Sequence, residues 1–288
     1  KGTDNADALG TGAYSLIGDQ TLQDNSLGED FILGKAGADE IDGDVGDDLL
    51  LGGADNDTLR GGSDNDTLFG GSGDDLLEGG SGDDAIIAGL GDDMIVLGSG
   101  LDSLSGGEGQ DTVSIDSPDF APDPFVAEVN FVTGEIGAKG IAENRSYFDE
   151  IEHLVFSGPV AVDVTGDEHD NHLITGGLAD TVNGGAGDDT TIGFGGADEL
   201  SGGAGMDSID GKNGNDYLFG RIDDDYLVGW GGRDRLRGNA GDDTMVGGNK
   251  NDFLQGGSGA DTFVFNTDNG FWAKDLIKDF ELGVDRVV

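Results

Sequence analysis

An aliphatic side chain returns every ninth residue along most of this chain. The inward ladder runs Ile32, Ile41, Leu50, Leu59, Leu68, Leu77, Ile86, Ile95, Leu104 and Val113. It resumes as Val182, Thr191, Leu200, Ile209, Leu218, Leu227, Leu236, Met245, Leu254 and Phe263, with one polar member, Thr191. A period this short leaves each unit too small to bury its own apolar side, so it predicts a solenoid in which every unit packs only against its neighbours. The aliphatic residue and its two flanks predict a short strand, with the middle side chain inward and the others outward.

Two places before each ladder residue stands an aspartate. The first series is Asp30, Asp39, Asp48, Asp57, Asp66, Asp75, Asp84, Asp93, Asp102 and Asp111. The second is Asp180, Asp189, Asp198, Asp207, Asp216, Asp225, Asp234, Asp243, Asp252 and Asp261. Units such as Gly-Gly-Ser-Gly-Asp-Asp-Leu-Leu-Glu from Gly70 give the template G-G-x-G-x-D-x-U-x, with U aliphatic. Glycine reaches positive φ without steric cost, so positions one to four predict a tight turn with converging carbonyls. Where position four is not glycine it is often aspartate, as at Asp55, Asp64 and Asp223, and aspartate tolerates the left-handed region.

The pattern divides the chain into an N-terminal cap with a loose repeat (1–24), ten nonapeptides (25–114), a spacer (115–165), eleven nonapeptides (166–264) and a C-terminal cap (265–288). The spacer holds all four prolines and many of the aromatics. Ala127–Val132 and Val160–Val164 alternate as strands around a turn at Thr133-Gly134, and Phe148–Phe156 reads as a short helix or a strand. Asn171 interrupts the aspartate series in a unit that also holds His169 and His172, which predicts a metal-poor first coil. Leu178 and Lys250 replace template glycines and predict weaker turns beside Asp180 and Asp252.

Composition adds a cation requirement. Sixty acidic residues stand against 14 basic ones, a formal charge of −46. Nucleic acid, which is held by basic patches, is thereby excluded as a natural partner. No apolar run is long enough for a transmembrane segment. There is no cysteine, which fits a chain exported unfolded and stabilised by metal rather than by disulfides.

Taken together, these residues resemble the RTX repeats, the hemolysin-type calcium-binding nonapeptides of secreted bacterial proteins. The resemblance covers residues 25–114 and 166–264. It implies an all-β fold, a right-handed parallel β-roll solenoid in two calcium-binding blocks joined by the β-rich spacer. It further implies multiple Ca²⁺ ions held between coils by glycine carbonyls and by the twenty aspartates, with Asp48 sharing an ion with Asp30 and Asp66, and Asp57 with Asp39 and Asp75. Oxygen donors of this kind suit Ca²⁺ better than Mg²⁺. One buried aliphatic side chain per nine ordered residues is little against the entropy of ordering them, so folding and calcium binding are expected to be one event. An extracellular location after type I export follows from the same resemblance.

Alternate units share a face, so outward residues align every 18 positions. Leu33, Leu51, Phe69 and Ile87, flanked by Phe31 and Leu49, form one apolar column; Ile174, Ile192, Val228, Val246 and Val264 form another, interrupted by Asp210. Such faces are expected to be covered within the molecule, or else to meet the cell surface, a polysaccharide or a second copy. The regular Thr and Asn ladders of ice-binding RTX adhesins are missing. An enzyme is not expected: with three histidines there is no H-E-x-x-H motif, and there is no G-x-S-x-G elbow. Two readings remain beside a structural or adhesive one: an accessory module of a larger secreted epimerase, protease or lipase, and a polysaccharide or surface-layer module. Arg233, Arg235 and Arg237 form a small basic island, assigned to solvation or partial substitution for calcium.

Overall fold

The computed structural model describes residues 28–115, 127–138, 145–157, 160–265 and 274–288, with the backbone of Ala13–Ser15 and Thr21–Gln23. The four prolines, Phe120, Phe125, Phe271, Trp272 and most of the N-terminal segment lie outside the described residues. Among the described residues there is no helix; the protein is an all-β parallel β-roll. It divides into two compact units, residues 1–112 with 146–151, and residues 113–145 with 152–288.

In the first unit the chain passes from one sheet to the other every nine residues. Phe31–Leu33, Leu49–Ala54, Thr67–Ser72, Ala85–Leu90 and Ser103–Glu108 stack in parallel, each strand pairing with the one 18 residues on. Glu40–Val45, Thr58–Ser63, Leu76–Ser81 and Met94–Leu97 form the facing sheet. Two nonapeptides therefore make one coil. In-register pairs such as Leu50↔Leu68 and Leu59↔Leu77 place the aliphatic ladders inside, where they are fully buried.

The strands are longer than the three residues expected. Leu49–Ala54, for example, continues through the glycine pair, and Gly53 pairs with Gly71. The bend is confined to positions four and five, where Asp55 has φ 74°. The reason is close stacking: a Cβ on Gly71, at φ +119°, would run into the carbonyl of Gly53 in the preceding coil, so the glycine pair serves strand contact as much as turning.

Part of the spacer completes the first unit. Ser146–Asp149 pairs in parallel with the last strand, Leu104 opposite Phe148, and a second strand, His153–Phe156, follows it in sequence. The stretch expected as helix or strand is thus two strands.

The second unit begins with Ala127–Asn130, antiparallel to Glu135–Ala138 and parallel to Val162–Thr165. On this base stack Thr181–Ala186, Glu199–Ala204, Tyr217–Ile222, Arg235–Ala240, Phe253–Ser258 and Leu276–Ile277. The facing sheet runs from His153–Phe156 through His172–Ile174, Thr190–Ile192, Ser208–Asp210, Tyr226–Val228, Thr244–Val246 and Thr262–Val264 to Arg286–Val287. Several of its strands stop at three residues. Phe194, Lys212 and Trp230 stand where the template has its second glycine, and they occupy the left-handed region at φ 57°, 62° and 62°, which turns the chain out of the ladder early. Thr191 sits fully buried among the aliphatic residues, its hydroxyl without a hydrogen-bond partner.

Candidate metal centre

The strand ends deliver the aspartates to the two edges of each roll. All twenty, from Asp30 to Asp111 and from Asp180 to Asp261, are buried, none more than 5% exposed. From Asp48 on in the first series, and throughout the second, each accepts an N–H from the coil before it. The N–H of Asp39 donates to Asp57 Oδ1 at 2.7 Å, Asp57 to Asp75 at 2.7 Å, and Asp75 to Asp93 at 2.7 Å. On the other edge Asp30 donates to Asp48, Asp48 to Asp66, Asp66 to Asp84 and Asp84 to Asp102, at 2.7–3.0 Å. Asp93 donates to Asp111 at 2.9 Å. The second unit repeats the arrangement from Asp180→Asp198 to Asp234→Asp252, and from Asp189→Asp207 to Asp243→Asp261.

One carboxylate oxygen is therefore satisfied by the protein. The other is not: Oδ2 of Asp57, Asp66, Asp75, Asp84, Asp93, Asp102, Asp180, Asp189, Asp198, Asp207, Asp216, Asp225, Asp234, Asp243 and Asp252 is buried with no hydrogen-bond partner. Those of Asp57, Asp66, Asp75, Asp84, Asp189, Asp198, Asp207, Asp216, Asp225, Asp234, Asp243 and Asp252 point at the first glycine of their unit, whereas Ala88, Leu97 and Thr175 hold that position before Asp93, Asp102 and Asp180. A Cβ at Gly52 would meet Asp57 Oδ2 at 2.5 Å and the Gly70 carbonyl at 2.7 Å; at Gly229 it would meet Asp234 Oδ2 at 2.5 Å and the Gly247 carbonyl at 2.7 Å. In these glycine-bearing units carboxylate and carbonyl oxygens thus face the same space, and a Cβ would press on both.

The electrostatics of these carboxyls point the same way. Asp57, Asp102, Asp207, Asp243 and Asp252 are pushed up to about 6. Asp66, Asp75, Asp189, Asp198 and Asp234 rise to about 7, and Asp225 to about 8. Burial is the main cause. The donated backbone N–H opposes it, while neighbouring carboxylates, Asp57 and Asp93 around Asp75 for instance, add to it.

Hard, oxygen-rich sites of this sort fit Ca²⁺, which accepts six to eight oxygens in flexible geometry. Among the described residues no three acidic or histidine side chains gather at one point. The carboxylates stand in single file, one per coil along each edge, so the remaining donors to an ion there would be backbone carbonyls. Oδ1 of Asp48 accepts from the Asp30 N–H and Oδ1 of Asp66 from the Asp48 N–H, which places these three in one file.

Two features were missed in the sequence. A second file runs in the opposite sense at template position five, where an Asp or Asn accepts from the N–H one coil later: Asp47 from Asn65 at 2.9 Å, Asn56 from Asp74 at 3.0 Å, Asn65 from Asp83 at 2.7 Å and Asp74 from Asp92 at 3.1 Å. The frequent Asp-Asp and Asn-Asp doublets were its signal. The main file also continues into the C-terminal segment: Asp252 donates to Asp275 Oδ1 at 2.9 Å and Asp261 to Asp285 Oδ1 at 3.1 Å. Asp275-Leu276-Ile277 and Asp285-Arg286-Val287 are D-x-U triplets displaced from the nine-residue phase.

At the irregular places the file changes partner. Asp102 donates to Ser146 Oγ at 2.9 Å, so a hydroxyl ends that edge. Asn171 donates to Asp189 Oδ1 at 2.8 Å and turns its own Oδ1 to the Asp167 N–H at 3.0 Å. His169 pairs with Asp167 at 3.1 Å, whereas His172 lies edge-on to His153, so the two histidines of that unit are engaged separately. Lys250, at φ 76°, brings its charge near Asp234 and Asp252, where it opposes the rise in both.

The family model of the RTX calcium-binding nonapeptide repeat matches residues 24–59, 60–95, 87–114, 165–200, 201–236 and 237–271, well over half of the chain. The chain belongs to the RTX calcium-binding nonapeptide repeat family. A search of curated proteins returns no relative. As an RTX β-roll it is a calcium-binding module, and the orphaned carboxylate oxygens are this chain's own mark of that role.

Proposed function

We propose that this RTX region is a calcium-triggered structural or adhesive module that is disordered without Ca²⁺ and folds when the ions enter. Ligand duty is assigned to the aspartates of both series, from Asp30 to Asp111 and from Asp180 to Asp261. The observation that carries the reading is the run of buried carboxylates from Asp57 to Asp102 and from Asp180 to Asp252, each with Oδ2 left without a hydrogen-bond partner. Such a stack repels itself until a divalent ion neutralises it, which couples binding to folding.

The same coupling suits a chain that leaves a calcium-poor cytosol unfolded through a type I exporter and folds outside the cell. The five-segment division drawn from the repeat phase, with caps at 1–24 and 265–288 and a spacer at 115–165, is retained in this reading. The outward columns give the module surfaces to present: Leu33↔Leu51↔Phe69↔Ile87 are in register, and Phe31 and Ile87 are exposed. Far-UV circular dichroism in chelator and in millimolar calcium tests the proposal. A β signal that appears only with calcium supports it; the same signal in both conditions refutes it.

A further inference from the structure

The second roll carries two Asn-Gly linkages, Asn183-Gly184 and Asn213-Gly214, and both asparagines are exposed. Such a pair is chemically labile. Glycine has no side chain to shield its nitrogen, and its backbone turns freely. That nitrogen can therefore swing back onto the asparagine carboxamide. A chain free to make the turn ages at these bonds; a chain held extended does not.

The roll holds both linkages extended. Asn213–Gly214 is a short strand paired in parallel with Gly195–Gly196, and Asn213 also bridges to Gly231 in the next coil. The Asn213 N–H donates to the Phe194 carbonyl at 2.8 Å, and the Gly214 N–H donates to the Gly231 carbonyl at 3.0 Å. The nitrogen that would attack is thus engaged by a neighbouring coil. The carboxamide reaches along the same edge, since a Cβ on Gly231 would come within 3.3 Å of Asn213 Oδ1. Asn183 lies within Thr181–Ala186, in register with Thr165 on one side and Ser201 on the other, and its carbonyl accepts the Gly166 N–H at 2.8 Å. All these bonds run between coils, so they exist only while the coils are stacked.

Both glycines also border the aspartate files. A Cβ on Gly184 would collide with Asp189 Oδ2, and one on Gly214 with Asp216 Oδ1 and the Gly196 carbonyl. Neither place has room for a longer main chain.

We propose that Asn183-Gly184 and Asn213-Gly214 are modification sites, closed in the folded roll and open to deamidation in the calcium-free chain. The Gly214 nitrogen attacks Asn213 Cγ, and the new C–N bond closes a succinimide. The Cγ–Nδ2 bond breaks, and ammonia leaves with the proton from the Gly214 N–H. Water then opens the ring at either carbonyl, giving aspartate or isoaspartate. Nothing is oxidised or reduced; water is taken up and ammonia is lost. Isoaspartate adds a methylene to the main chain and shifts Gly214 against Gly231 and Asp216, so a modified coil no longer stacks. Time without calcium is thereby recorded as a growing fraction of chains that do not fold. The inference rests on calcium-dependent folding.

The test is incubation of the full chain at mildly alkaline pH in chelator, in saturating calcium and in urea. Dichroism is recorded on each sample, with peptide mass mapping and isoaspartate detection at each linkage. Deamidation of Asn183 and Asn213 should be as fast in chelator as in urea. In calcium it should be at least about tenfold slower, because each event there needs a local opening. On return to calcium, the aged parent should recover less β signal than the aged double variant Asn183→Gln, Asn213→Gln, whose longer side chains close a ring far more slowly. Within the aged parent, isoaspartate should be concentrated in the chains that fail to refold. If the β signal is intact in chelator, calcium-dependent folding fails, and the folded and urea samples alone decide the inference. It is overturned if both linkages deamidate in the folded roll as fast as in urea, if isoaspartate is spread evenly between refolded and unfolded chains, or if the aged parent refolds as fully as the double variant.

Discussion

Substituting Asp75 by asparagine separates the two tasks of the ladder carboxylate. Asp75 Oδ1 accepts the Asp57 N–H at 2.7 Å, and an asparagine Oδ1 keeps that bond. What disappears is the charge, in a carboxyl raised by burial from 3.8 to about 7. At about 1.4 kcal/mol per pKa unit, and halved for solvent screening at the coil edge, ionising it in the metal-free fold costs roughly 2 kcal/mol at pH 8. Asp75→Asn should therefore ease folding in chelator and hinder folding by calcium. The assay is dichroism along two titrations. In chelator with trimethylamine oxide, which favours burial, the variant should fold at a lower osmolyte concentration than the parent. In calcium its midpoint should rise several-fold. Asp75→Ala should show only the second effect, because the lost acceptor strands the Asp57 N–H at a cost of about 1–3 kcal/mol. If Asp75→Asn titrates with calcium as the parent does, the carboxylate is a turn acceptor and not a ligand, and the reading of the whole ladder fails.

Protons should replace calcium in part. The raised carboxyls contribute stability fully at and below about pH 4, their unfolded value, and lose it as pH rises through their folded values of about 6 to 8; in chelator the β signal should therefore strengthen as pH falls from 8 toward 5, and a signal that weakens over that range would contradict the assigned shifts. In calcium the same groups should make apparent affinity fall below about pH 7, read by the calcium midpoint at each pH. Leu68→Ala empties a fully buried ladder position between Leu50 and Ile86 and should cost about 2–5 kcal/mol, seen as a higher calcium midpoint for the first unit; an unchanged midpoint would place that stack outside the folding unit.

Much of the fold was legible because the repeat states one rule many times. The nine-residue phase predicted which side chains point inward, and Ile32 to Phe263 occupy those places. Pairing between residues 18 apart follows from two units per coil. The sequence was less informative where contact with the next coil, rather than a residue's own conformation, decides the outcome. The glycine pair reads as a turn, yet it is strand, because the preceding coil's carbonyl packs onto its Cα. Asp275 and Asp285 were hidden by spacing, since a longer loop moves the D-x-U triplet out of phase while the register recovers it.

The two files of side chains run in opposite senses, and this bears on how the roll assembles. A position-six aspartate accepts from the coil before it; a position-five Asp or Asn accepts from the coil after it. Each inner coil is thus bonded through side chains to both neighbours. A single coil has neither the buried aliphatic stack nor an acceptor for these N–H groups, so ordering one coil prepares the next and the first is the costliest to form. Loss of a position-six carboxylate strands a donor one coil upstream, whereas loss at position five strands one downstream. The ends should then depend on residues that imitate a coil without continuing the repeat. Ser146 does this for Asp102 with a hydroxyl, and Asp275 does it for Asp252 with a carboxylate. Both bonds are neighbour contacts like those inside the stack, which is why segments that break the nine-residue phase still belong to the rolls they close.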